Sequence, residues 1–264
     1  MSYTIGLAQT GYPTDGDVLA QTRSVALRAR ERGVSLLVFP ENLMCPHELT
    51  ARELLNLSEP CDGPFATEIC HIARQQRLWI VFTMSETNPD GGRPFNTAAV
   101  ANPDGALVAT YQKCHLYDAH AVRESDRMCA GNALCTPVQT PFCTLGLGIC
   151  YDLRFPEVAR SLSLSGCDLV VFPAAWHDGP NKELHWQTLL RSRAIENETF
   201  VAGVCHGASR YVRTSYVFDP LGNTLVSGSD DLLVCDINPQ SLRSARESMP
   251  IFEHRRPELY TSLS

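Results

Sequence analysis

An apolar run closed by proline occurs twice in this chain, as Leu36-Leu37-Val38-Phe39-Pro40-Glu41 and as Leu169-Val170-Val171-Phe172-Pro173-Ala174. Runs with no polar residue on either alternating face suit strands covered on both sides by other layers. A duplicated buried strand implies duplicated surroundings. The first copy sits in the order strand 3–8, helix 17–32, strand 34–39, a second helix, strand 78–83 and a hairpin. Val18, Thr22, Val25 and Ala29 form the stripe of the first helix; Phe65, Ile69, Ile72 and Ala73 form that of the second. The hairpin, 97–101 and 106–110, turns through Asn102-Pro103-Asp104-Gly105. The second half repeats this grammar: strand 145–150, a helix after Pro156, strand 168–172, helix 182–198 and strand 199–204. A hairpin of 214–218 and 224–226 closes it, turning through Asp219-Pro220-Leu221-Gly222-Asn223. Two such β-α-β-α-β-hairpin halves pair most simply with their sheets face to face and their helices outside. The expected fold is an α/β, four-layer α-β-β-α sandwich, one domain over residues 1–264 with no linker. Residues after about Leu232 supply one more strand, and a polar tail from about 237 is expected to dock on the body or on another subunit.

With 44% hydrophobic and 19% charged residues in 264, the chain buries a substantial core and is not disordered. A formal charge of −7 argues against nucleic acid or an anionic membrane as partner. The start lacks a basic segment followed by an apolar one, and no stretch of about 18 apolar residues occurs, so a cytoplasmic location is expected. The 11 cysteines include no Cys-x-x-Cys pair, which suits a reducing compartment. Cys70/His71, Cys114/His115 and Cys205/His206 are adjacent in sequence, a spacing that puts neighbours on different faces, so no metal site is expected.

Glu41, Lys113 and Cys150 each sit where an apolar strand ends, the rim at which open α/β sheets place ligands. Each also has an ordinary reading. Glu41 is a solvated rim carboxylate or one held in a pocket; Lys113 is a surface lysine or a charge beside Cys114, His115 and Tyr117. Cys150 is one more buried cysteine, or a sulfur at a strand-to-helix elbow before Pro156 where backbone N–H groups lower a thiol pKa and receive an oxyanion.

In combination these motifs resemble the nitrilase, or carbon-nitrogen hydrolase, superfamily. Phe39-Pro40-Glu41-Asn42 matches the family's glutamate segment, and the stretch from Tyr111 through Lys113 to Asp118 matches its lysine segment. Gly148-Ile149-Cys150-Tyr151-Asp152-Leu153-Arg154-Phe155-Pro156-Glu157 matches its cysteine segment. Arg191 to Asn197 is similar to a helix that follows. The resemblance implies a second glutamate between lysine and cysteine, carried here onto Glu124. The following Cys129-Ala130-Gly131-Asn132 lacks the proline that often precedes this glycine in relatives. It implies catalysis by Glu41, Lys113, Cys150 and Glu124 without metal or organic cofactor, on a small-molecule amide, in a homodimer or larger homo-oligomer. Glu41 serves as base and then acid, Lys113 and the Tyr151 N–H hold the oxyanion, and Glu124 orients Lys113 or the substrate.

Nitrile-cleaving relatives commonly carry Cys-Trp-Glu, whereas this chain has Cys150-Tyr151-Asp152, closer to the amidase and omega-amidase branches. Arg154 binds a substrate carboxylate or pairs with Asp152 or Glu157 inside the elbow. Trp176 and His177 are expected in the pocket wall. Hydrolysis of an N-carbamoyl compound or a nitrile, a papain-like pairing of cysteine with His115 or His206, and a binding or assembly module with an inert cysteine stand as alternatives.

Overall fold

The duplicated runs become inner strands of two separate six-stranded sheets. In the computed structural model, which describes residues 2–46, 48–120 and 122–260, the first half follows the expected order with one added helix. It comprises β1 (Tyr3–Ala8), α1 (Val18–Glu31), β2 (Leu36–Val38), α2 (Ala51–Leu57), α3 (Pro64–Gln76), β3 (Trp79–Glu86), β4 (Phe95–Ala101) and β5 (Leu107–Gln112). A small antiparallel pair, β6 (Asp118–Ala119) and β7 (Val122–Arg123), leads into the second half. That half comprises β8 (Val138–Gln139), β9 (Thr144–Leu147), α4 (Pro156–Leu164), β10 (Leu169–Ala174), α5 (Lys182–Asn197), β11 (Phe200–Cys205), β12 (Ser215–Phe218) and β13 (Thr224–Gly228). The chain then forms β14 (Leu232–Ile237), α6 (Pro239–Ser248) and α7 (Ile251–His254).

The strand orders are β14-β1-β2-β3-β4-β5 and β13-β12-β11-β10-β9-β8. In each sheet three parallel strands continue into an antiparallel hairpin, and one further antiparallel strand closes the other edge. Both hairpin turns use the same chemistry. Asn102 Oδ1 accepts the Asp104 and Ala106 N–H groups at 3.1 and 2.8 Å, and Asp219 Oδ1 accepts those of Leu221 and Asn223 at 3.0 and 2.8 Å.

Strand alternation sorts β2 between two layers. Leu36 and Val38 face the opposite sheet, in one core with Leu145, Leu147 and Val171. Leu37 and Phe39 face the helices instead, against Val25 and Ala29 of α1 and Ile69 and Ile72 of α3. Each large side chain buried in this way contributes about 1.5–3 kcal/mol. The four-layer α-β-β-α order follows from this two-sided burial. α1 starts where Asp17 accepts the Ala20 N–H at 2.8 Å, as expected of a capping aspartate.

The run 145–150 leaves the ladder after Leu147, so Gly148-Ile149-Cys150 is free to turn, with the Gly148 N–H still bonded to the Val171 carbonyl at 3.0 Å. α2 was not anticipated, although Thr50 and Glu53 form a reciprocal capping box at its start. The tail after 237 docks on the chain's own body. Leu242 and Ala245 of α6 are buried, and Arg246 donates to the Glu198 and Cys167 carbonyls at 3.2 and 3.1 Å. Residues 261–264 lie outside the described part. All 11 cysteines are free, and no helix among the described residues is long and apolar enough to cross a membrane.

The contact of α5 with the second sheet depends on Gly203. A Cβ at that position in β11 would meet Leu190 and Trp186 at 2.4 and 2.6 Å. Gly203→Ala is expected to destabilise the fold by about 1–3 kcal/mol, measured by urea unfolding; an unchanged midpoint would show that α5 yields without cost.

Candidate active site

β1, β2, β3 and β5 run in one direction, so Glu41 past β2 and Lys113 past β5 reach the same rim of the first sheet. Cys150 past β9 and Ala175 past β10 come to that rim from the second sheet. The repeat copies meet there, because Glu41 Oε2 accepts the Ala175 N–H at 2.8 Å.

Lys113, 2% exposed, is clamped between two carboxylates. Its Nζ lies 2.8 Å from Glu41 Oε1, and 3.1 and 2.9 Å from the two oxygens of Glu124. Asn96 of β4 holds the same assembly, with Nδ2 donating to Glu41 at 2.8 Å and to Glu124 at 3.3 Å while its carbonyl accepts the Lys113 N–H at 2.9 Å. Glu124 also accepts the Tyr117 N–H at 2.7 Å. Gly131 donates its N–H to the Lys113 carbonyl at 2.8 Å, and a Cβ there would strike the Gln112 carbonyl oxygen at 2.3 Å, so the loop after Glu124 closes on the lysine strand only through glycine.

Burial alone would raise the Glu41 pKa. The charge and hydrogen bond of Lys113, with the bonds from Ala175 and Cys150, overcome it and hold the carboxyl down at about 2. Burial likewise opposes the Lys113 charge, yet Glu124 and Glu41 push its pKa well above the usual lysine range. Burial, reinforced by the Glu41 charge, raises the Cys150 thiol well above its ordinary value despite Lys113. At rest the site therefore holds a carboxylate, an ammonium and a protonated sulfur.

Cys150 opens a 3-10 turn, Cys150–Arg154, with a left-handed φ of +46°. Such a conformation costs a non-glycine residue of order 1–3 kcal/mol and persists where surroundings enforce it. Cys150 lines a cleft together with Glu41, Lys113 and Glu124. Trp176 and His177, expected in the pocket wall, line it too, as do Tyr151 and Arg154.

Arg154 stacks 4.7 Å over Trp176, and neither Asp152 nor Glu157 pairs with it, so the elbow ion pair considered from sequence is not formed. The wall also includes Tyr117, Arg127 and Lys182, which sequence reasoning did not assign to it. Lys182, at the start of α5, donates to the Tyr117 hydroxyl at 3.2 Å. Asn96 was also missed, although a polar residue at the head of an apolar strand was a legible signal. His115 and His206 do not line this cleft: His115 Nδ1 is bound to Asp152 at 2.7 Å, and His206 Nδ1 accepts the Ala208 N–H at 3.1 Å. Neither His115 nor His206 is therefore placed to pair with Cys150 as a papain-like site would need. No group of three or more metal-ligating side chains occurs among the described residues.

Residues 4–247 match the sequence pattern described as carbon-nitrogen hydrolase. Deaminated glutathione amidase of Escherichia coli O157:H7 is 33% identical over 88% of this chain and 89% of its own length. Omega-amidase NIT2 of Mus musculus is 31% identical over 93% and 91%. Among solved structures, the C. elegans NitFhit protein superposes with a TM-score of 0.89 at 32% identity, covering 98% of this chain and 66% of that one. A mutant of Nesterenkonia AN1 amidase superposes with a TM-score of 0.79 at 25% identity, covering 99% and 97%.

His206 supplies a pH test of this rim. Burial lowers its pKa to about 4 from the ordinary 6.5, against the opposing pull of Glu41. The unfolded chain thus takes up this proton first, so the His206 contribution is complete above about pH 6.5 and is lost as pH falls toward about 4. The loss amounts to roughly 3 kcal/mol. His206→Asn, which keeps an acceptor for Ala208, is expected to flatten unfolding free energy against pH in that window; an unaltered slope would contradict a neutral buried imidazole.

Proposed function

The chain belongs to the carbon-nitrogen hydrolase family, and from that premise we propose that it hydrolyses a small aliphatic amide through a thioester on Cys150, releasing ammonia and a carboxylic acid. The observation that carries this reading is a cysteine and a buried carboxylate lining one cleft, with a clamped ammonium held between that carboxylate and a second one. As the sulfur attacks the amide carbonyl, its proton passes to Glu41. Charge that rested on Glu41 moves through sulfur to the carbonyl oxygen, which Lys113 Nζ and the Tyr151 N–H receive. Because the ammonium is already in position, little reorganisation accompanies the charge movement. Collapse expels the nitrogen with the Glu41 proton as ammonia and leaves the acyl group on sulfur. Glu41, now ionised, takes a proton from water as its oxygen attacks the thioester; collapse releases the acid and returns the proton to sulfur. Glu124 keeps Lys113 aimed throughout.

Three cations, Arg127, Arg154 and Lys182, stand in the cleft wall, which supports an amide bearing a carboxylate away from the scissile bond. The amidase names of the relatives support the amide over a nitrile. Free cysteines support a reducing, cytoplasmic setting. Exposed Leu164, Leu184, Ile195 and Leu221 support self-association as a homo-oligomer, to be read by light scattering.

A panel of aliphatic amides, N-carbamoyl amines and nitriles, assayed for ammonia and carbon dioxide, tests the reading. Ammonia without carbon dioxide is expected from amides, and Cys150→Ala and Glu41→Gln are each expected to lower it by at least about 10³-fold. Carbon dioxide in parallel would assign a carbamoyl substrate, and turnover that survives Cys150→Ala would remove the nucleophile.

A further inference from the structure

The reaction cycle leaves one fully buried carboxylate without a part in it. Asp152 is 0% exposed and takes four hydrogen bonds. Its Oδ2 accepts the Ile149 N–H at 2.9 Å and the Tyr111 hydroxyl at 2.8 Å. Its Oδ1 accepts the His115 backbone N–H at 3.1 Å and meets His115 Nδ1 at 2.7 Å, which places a proton on that nitrogen. The spacing of these donors is informative. Tyr111 and His115 stand two positions before and after Lys113, and Asp152 stands two positions after Cys150. One carboxylate thus ties the strand end that bears the ammonium to the turn that bears the sulfur.

The tie is stiff. The His115 ring stacks on Phe155 with centroids 3.7 Å apart and planes 14° apart. The Tyr111 hydroxyl also accepts the Cys114 N–H at 3.3 Å. The turn on the other side begins with the left-handed Cys150, a conformation that needs its surroundings to hold it. A carboxylate suits this place because both oxygens accept. An asparagine would accept on one side and turn its NH₂ against donors on the other.

We propose that Asp152 is a positioning residue that fixes the spacing between Lys113 Nζ and the Cys150 sulfur by clamping the two segments together. The inference rests on the reading of Cys150 as nucleophile. A shift of order 1 Å in such a geometry can cost about 10²-fold in rate, so the effect of losing the clamp is large enough to read without a known substrate.

The experiment is iodoacetamide labelling at pH 7.5, resolved by peptide mass spectrometry for all 11 cysteines. Cys167 and Cys205, both fully buried, act as internal reporters of unfolding. Asp152→Asn is expected to slow labelling of Cys150 by about tenfold or more, and Tyr111→Phe, which removes one donor, by about threefold, with Cys167 and Cys205 still protected. In a Lys113→Gln background, Asp152→Asn is expected to add no further slowing, because its effect passes through the ammonium. Cys150 labelling unchanged within about twofold would overturn the clamp, as would full additivity with Lys113→Gln. Labelling of Cys167 and Cys205 rising together in both variants would replace positioning with a purely structural role. Ammonia release from an amide that survives Cys150→Ala would remove the nucleophile reading, and this inference with it. Fast labelling that is slowed by Lys113→Gln but indifferent to Asp152 defeats the clamp alone.

Discussion

A lysine ammonium buried between two carboxylates is the constraint around which this molecule is arranged. Lys113, Glu41 and Glu124 are all nearly inaccessible to water, and none is tolerable there alone. Removing one partner from such a set strands a buried charge at a cost of about 3–5 kcal/mol. The three side chains come from the end of β5, the loop after β2 and the short turn after β7, so the cluster fixes where those segments lie. Asn96 and the Ala175 N–H complete it, the first from the adjacent strand and the second from the opposite sheet. Electrostatics thus joins the two sheets at one rim, while apolar packing joins them elsewhere.

The same arrangement explains the state of the sulfur. One cation shared by two carboxylates leaves the floor of the cleft without spare positive charge, and a resting thiolate beside Glu41 would add to the excess. The proton therefore rests on Cys150. The left-handed backbone at Cys150 is the local counterpart, a strained conformation at the point where the chain leaves β9. The family's two-sheet fold supplies the rigid frame that both features need.

The layers and the main strands were legible because their signals are local. Leu36 to Phe39 can be covered only on two sides, and Asn102 and Asp219 carry their turns with their own side chains. Glu41, Lys113 and Cys150 were found as polar residues at strand ends, with the family resemblance singling them out from ordinary rim residues. Lys182 and Arg127 escaped because each is an unremarkable residue until a strand or loop from elsewhere is set against it, whereas Asn96, polar at the head of an apolar strand, was legible and overlooked. Asn96 matters through contacts with Glu41 and Glu124, both distant in sequence. The end of β9 at Leu147 was missed for a related reason. Gly148 and Ile149 are as strand-like as their neighbours, and what turns them is the Asp152 carboxylate drawing in the Ile149 N–H.

The repeat has a further consequence for function. Its two copies are nearly identical until Glu41 in one and Ala174 in the other, and they face each other across the rim. Only one copy carries a carboxylate; the other offers the backbone N–H that fixes it. A near-symmetric frame thereby acquires one asymmetric carboxylate, positioned by the half that lacks it.

The most direct measurement is rapid acid quenching during turnover of an amide substrate, followed by peptide mass analysis. The account predicts an acyl group, matching the acid product, on Cys150 and on no other cysteine, with Glu41→Gln removing its formation. Turnover that proceeds with no acyl mass on Cys150, or with that mass on another residue, would contradict it.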